Sequence, residues 1–147
     1  MGPVLANMVR RQHATDEGCP NCGVREDTDH IFTCKSPGSE DIFRSQAEIL
    51  KLHLQDTTSK QLQLIIMELV TSFRETREPA HLDVDNVHAG IIVQQYGLGV
   101  RAFLGGFWSK QIVSVQTSYF RHVKSSKLAR KWTAQTIILL QSILMEI

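Results

Sequence analysis

The residues richest in chemistry lie near the N-terminus. The 147-residue chain has three cysteines, all within residues 19 to 34, and His30 lies among them. Their order is Cys19-Pro20-Asn21-Cys22, then His30, then Cys34, a spacing of C-x2-C-x7-H-x3-C. Three thiolates and one imidazole are a common tetrahedral set, so Cys19, Cys22, His30 and Cys34 are the expected ligands of one Zn2+. Pro20 and Gly23 suit the tight turn that aims the first two sulfurs at one ion. His30 and Cys34, four residues apart, share one face of a helical turn. Four protein ligands leave no coordination place for water, which makes the site structural and not catalytic. A disulfide framework would leave one thiol over. The competing reading is a Cys19/Cys22 redox pair with an incidental third thiol.

A second cluster is electrostatic. Residues 1–85 hold nine Lys/Arg against fourteen Asp/Glu, a balance of −5, whereas residues 86–147 hold seven against one, a balance of +6. Such asymmetry favours an anionic partner for the basic half, or attraction between the halves or between copies. Arg121, Lys124, Lys127, Arg130 and Lys131 gather around Ser125-Ser126, with Tyr119, Phe120 and Trp132 interleaved. The cations would neutralise phosphates, and an exposed aromatic would stack on a base. The alternative is a solvated helix junction whose Tyr119 and Trp132 are core. His13, His53, His81, His88 and His122 have no convincing ligand spacing and read as hydrogen-bonded or solvent-facing.

These clusters need elements to position them, and the pattern is helical throughout. Ser39 is the expected N-cap of a helix over Glu40 to Gln55, whose stripe is Phe43, Ala47, Leu50 and Leu54. Thr58 and Gln61 have capping-box spacing for the next helix, which buries Leu62, Ile65, Ile66, Leu69, Val70 and Phe73. A short helix over Val87 to Tyr96 should stop at Gly97 and Gly99. A long one over Val100 to Lys124, kinked at Gly105-Gly106, carries Trp108, Ile112, Val115, Tyr119 and Val123. The last runs from Lys127, with Ile137, Leu140, Leu144 and Ile147 on one face. Val4 to Arg11 reads as a further short helix.

The expected fold is all-α: a small Cys3His zinc knuckle followed by about five helices packed as antiparallel pairs. The chain divides into a knuckle segment (1–37), a helical pair (38–78), an acidic loop (79–86) and a C-terminal helical segment (87–147). The final apolar run ends without a cap, which reads as truncation or as a face for a partner chain. No stretch reads as a membrane span or signal peptide, so an intracellular protein, cytoplasmic or nuclear, is expected. Four prolines and nine glycines rule out collagenous or low-complexity material.

The knuckle residues carry a family likeness. Cys19-Pro20-Asn21-Cys22-Gly23 and Glu26-Asp27-Thr28-Asp29-His30-Ile31-Phe32-Thr33-Cys34 resemble the zinc-binding region downstream of reverse transcriptase domains in non-LTR retroelement polyproteins. The remainder resembles the helical tail of some retroelement-like open reading frames, through Gln94-Gln95, Leu98-Gly99, Phe103-Leu104, Gly106, Ser109, Gln116, Tyr119 and Trp132. It departs from that pattern at Val100 and Ile112, where tryptophans would be expected. The resemblance implies a module that helps a polymerase engage its RNA or DNA template.

The chain has no Asp-Asp pair to hold catalytic magnesium, no Ser/Cys–His–Asp arrangement and no phosphate loop. The expectation is therefore a non-enzymatic zinc module binding RNA or single-stranded DNA, with no small-molecule substrate and no membrane partner. The alternative is a zinc-stabilised helical interaction module, pairing with another protein or with itself through the last helix, or a decayed fragment.

Overall fold

A computed structural model of the chain describes residues 32–146. Cys19, Cys22, His30 and the helix expected over Val4 to Arg11 lie outside the described residues. Among the described residues there are six helices and no strand, as the all-α reading expects. They are α1 (Pro37–Thr57), α2 (Lys60–Glu75), α3 (Asn86–Leu98), α4 (Val100–Leu104), α5 (Lys110–His122) and α6 (Ala129–Glu146).

The expected stripe of α2 is buried, and that of α1 is buried in its second half, with Phe43 and Ala47 half-buried. Leu50 and Leu54 are fully enclosed and Phe43 packs on the core, while Leu62, Ile65, Ile66, Leu69, Val70 and Phe73 all lie within it. The caps differ from expectation. α1 starts at Pro37, because Ser36 accepts the backbone N–H of Ser39 at 3.3 Å and proline at the first position loses no needed donor. Ser39 instead sits buried in the first turn. Thr58 belongs to the end of α1, with its N–H on Leu54 O at 2.9 Å, and Ser59 opens α2.

Three cross-links fix the direction of α6 against α1. Ser142 Oγ donates to Gln46 Oε1 (3.2 Å), His53 Nε2 meets Thr136 Oγ1 (2.9 Å), and Trp132 Nε1 donates to Thr57 Oγ1 (3.0 Å). The numbers rise on one helix as they fall on the other, so the pair is antiparallel. α1 and α2 are antiparallel too, since Glu40 near the start of one meets Arg74 near the end of the other. α3 is not antiparallel to its neighbour. Gln61 Oε1 accepts Asp85 N–H at the start of α2, and Phe73 stacks on Tyr96 near its end, so α2 and α3 run parallel. The 76–85 connection therefore returns along α2. Glu68 holds it there, accepting from Arg77 Nη1 (2.6 Å) and Ala80 N–H (2.9 Å).

The single long helix expected over 100–124 is two helices. Gly99 (φ 93°) separates α3 from α4, and Gly106 (φ 88°) turns the chain before α5. Both angles lie where a side chain is strained, so these glycines break the helix outright. Trp108 lies in the connection, with its indole N–H on Phe103 O (2.9 Å), and Ser109 caps α5. Freed from the continuous register, α5 buries Ile112, Gln116 and Phe120, and Val123 is exposed, not core. α6 likewise centres its buried face on Trp132, Thr136, Leu140 and Ile143, leaving Ile138 exposed.

Candidate functional site

Of the four expected zinc ligands, Cys34 falls among the described residues. It is buried immediately before α1, and its Sγ lies 3.7 Å from Ser36 Oγ. The segment carrying it is anchored at depth. Phe32 is fully enclosed and meets Phe43 edge-on at 6.0 Å between ring centroids. Its carbonyl accepts Arg74 Nη1 at 2.5 Å, across forty-two residues of sequence. Arg74 Nη2 donates to Glu40 Oε1 (2.8 Å), and the guanidinium lies 4.6 Å over the Phe43 ring. Arg74 is only 2 % exposed. These contacts fix the backbone that leads into Cys34, and the Cys3His set expected from the sequence is one that zinc takes. Sequence reasoning missed Arg74. A lone arginine in a last helical turn reads as a solvated partner of the helix dipole.

The basic cluster lies at the other end of α1. Trp132 in the first turn of α6 bonds Thr57 at the end of α1, whereas Cys34 precedes its start. A 21-residue helix is about 30 Å long. Cys34 and the basic turn therefore lie about the length of α1 apart.

The basic connector is built by backbone bonds. Ser125 N–H reaches Phe120 O (2.8 Å), Lys124 takes a left-handed φ of 55°, and Lys127 N–H bonds Ser125 Oγ (3.1 Å). This places Arg121, Lys124, Lys127, Arg130 and Lys131 together, all exposed. None of the five has a carboxylate partner among the described residues. Lys127 and Lys131 border a cavity of about 440 Å³ with Thr57, Ser126, Leu128, Trp132 and Gln135. Two of the interleaved aromatics are core and the third is half-buried. Trp132 is 2 % exposed, Phe120 is 4 % exposed, and Tyr119 packs against the cluster.

His53 sits behind this end, at the α1–α6 contact. The Thr136 hydroxyl donates to Trp132 O (2.7 Å), so the imidazole Nε2–H donates to Thr136. Burial lowers the His53 pKa, and Lys127 pushes the same way against a smaller opposing effect of Asp56. The unfolded chain therefore takes up this proton at higher pH than the folded one. Stability from a neutral His53 is complete above its unfolded pKa and is lost as pH falls toward the lowered folded value. Between pH 7 and pH 5, the wild-type urea midpoint should fall further than that of His53→Gln. Parallel pH slopes for the two proteins would refute this.

The glutamines of the resembling pattern turn out to be structural. Gln95 is fully buried, donating to Phe107 O (3.1 Å) and accepting Ser109 N–H (2.8 Å), and Gln94 accepts the Ser109 hydroxyl. The two tie the α4–α5 connection to α3. Gln116 Nε2 donates to Thr57 O (2.6 Å), fastening α5 to the end of α1. Of the other histidines, His88 is buried against Asp85, which caps α3 through its N–H (2.9 Å). That hydrogen bond and the His88 ring hold the Asp85 carboxyl below the usual range. His81 and His122 are exposed.

α3 carries no Lys, Arg, Asp or Glu, and it leaves Val87, Val93 and Leu98 exposed. Beside it runs a groove of about 550 Å³ lined by Leu82, Ala89, Ile92, Val93 and Tyr96. No described helix is long and apolar enough to cross a membrane. Searches of protein-family models, curated proteins and solved structures find no match to this chain.

Proposed function

We propose that this chain is a zinc-stabilised, non-catalytic helical module that binds RNA or single-stranded DNA, similar to the zinc-binding region that follows the polymerase in retroelement proteins. The observation that carries the reading is the basic turn. Five exposed cations share one connector with no carboxylate to neutralise them among the described residues, and unpaired cations attract a polyanion. Zinc is assigned to Cys19, Cys22, His30 and Cys34, with Cys34 held by the Phe32–Arg74 anchor. Its role is to close the segment before α1, and the thiols it needs stay reduced inside the cell.

Native mass spectrometry of the reduced protein, with and without a strong chelator, tests the metal. One zinc per chain is expected, lost on chelation and absent in Cys22→Ser. Most of the helical circular dichroism should survive, because the buried cluster joins Phe32 to all six described helices without a metal ligand in its centre. A metal-free protein with the same thermal midpoint with or without added zinc would exclude the assignment.

A second reading, a helical interaction module, is favoured by the uncharged face of α3 and by Ile138 exposed on α6. Unpartnered apolar faces of this kind mark contact surfaces. The same spectra decide it for self-association, since dimers should appear as concentration rises and a mass that stays monomeric would exclude pairing.

A further inference from the structure

The ligand's chemistry can be narrowed at the basic turn. We propose that this turn grips the sugar–phosphate chain of a single strand and is blind to its bases. The inference rests on the nucleic-acid reading above and adds which part of the ligand is recognised.

Single-strand binders usually combine a positive groove with aromatic side chains on which bases stack. Here the first component is present and the second is largely withdrawn, with Tyr119 half-buried. The sequence interleaves Tyr119, Phe120 and Trp132 with the cations, but Phe120 and Trp132 are enclosed and Tyr119 packs on the core. The Trp132 ring is held from both sides, its N–H donating to Thr57 and Thr58 at 3.0 Å and its face edge-on to Trp108 at 6.5 Å. It cannot swing out without breaking these contacts. The cavity beside Lys127 and Lys131 is lined further by Thr57, Ser126, Gln135, Leu128 and Trp132, the last only 2 % exposed. Two ammonium groups, a hydroxyl and an amide suit phosphate and sugar oxygens.

Cation contacts to phosphate carry no sequence information. Each neutralised phosphate of a single strand adds about 0.7 to the salt slope. Five cations therefore set an upper limit of about 3.5 on the magnitude of that slope at this turn.

The test uses the full, zinc-supplemented chain and three single strands of about 12 nucleotides, within the usual site size. They are oligothymidylate, oligodeoxyadenylate and an abasic phosphodiester of equal length. Fluorescence anisotropy should give affinities within about threefold of one another. Lys127→Ala/Lys131→Ala should weaken all three alike and reduce the salt slope by about 1.4. These side chains are exposed, so the melting midpoint of the variant should stay at the wild-type value.

An abasic strand bound tenfold or more weakly than oligothymidylate would overturn base-blindness and leave nucleic-acid binding intact. A variant that binds every strand like wild type would move the contact away from this turn and overturn the inference. No binding of any strand at low salt would overturn the nucleic-acid reading itself.

Discussion

Glu40→Ala should destabilise the protein by about 3–5 kcal/mol, more than Arg74→Met, which should cost about 1–3 kcal/mol. Removing Glu40 leaves a guanidinium that is 2 % exposed without its charge partner, and an orphaned buried charge is among the most damaging changes a core can suffer. Two things soften that cost. Glu40 is itself partly exposed, so water can enter its place, and the Phe43 ring still faces the cation at 4.6 Å. Neither restores a carboxylate. Arg74→Met, by contrast, removes the charge together with its need for a partner. It keeps a long side chain in the space and leaves Phe32 O without its donor, a loss of the ordinary buried-acceptor size. Glu40, once freed, is near Lys35 at 3.9 Å and solvent. Urea denaturation of the two variants settles the ranking. If Arg74→Met proves the worse of the two, or Glu40→Ala leaves the midpoint unmoved, the guanidinium is not isolated from water in the way its burial indicates.

This network also shows where a sequence stops being readable. The stripe of α2 could be read residue by residue, because six apolar positions at helical spacing have no other economical use. Arg74 on the same helix could not. Its partners, Phe32 and Glu40, lie forty-two and thirty-four residues earlier, and only the packing of α1 on α2 brings them to it. The structural roles of the buried amides Gln95 and Gln116 are unreadable for the same reason. Each satisfies backbone groups exposed by a break in a distant element, and no local pattern marks such a group.

The break itself was half-legible. Gly105-Gly106 marks a weak point, but apolar residues keep helical spacing from Trp108 to Val123, which masks the separation of α4 from α5. Periodicity measures which side chains share a face if the helix is continuous. It does not measure continuity. Ser109, capping α5 through the N–H of Gln111 at 3.2 Å, was the available sign. The expectation of Ser39 as the cap of α1 overlooks that proline is at home in a first helical turn, which lets the helix begin at Pro37.

For the candidate site, composition and spacing are enough to pick out the basic cluster and to nominate Cys19, Cys22, His30 and Cys34 as ligands, since charge and ligand type need no tertiary contact to be recognised. What they left open was whether the aromatics among the cations faced out or in. That depends on helix rotation, which α6 takes from its contact with α1.

Trp132 decides between those two roles, and Trp132→Ala and Trp132→Phe separate them by experiment. As a core residue, Trp132 fills the space between the end of α1, the α4–α5 connection and α6. Truncation to alanine should cost about 3–5 kcal/mol, the range for emptying a large aromatic site. Phenylalanine keeps most of the ring volume but loses the indole N–H, which serves the Thr57 and Thr58 hydroxyls at 3.0 Å each. Thr58 is nearly inaccessible to water, so the loss should be about 1–2 kcal/mol. Binding of an oligonucleotide should respond in the opposite sense. Trp132→Phe should leave affinity within about twofold at a temperature where the variant is fully folded, because the basic side chains around it are untouched. A stacking residue would behave the other way, with stability unchanged and affinity reduced about fivefold or more by loss of a base contact. Thermal denaturation and anisotropy on the same preparations therefore give two independent readouts. A Trp132→Ala protein that melts like wild type would remove this side chain from the core and return it to the binding surface.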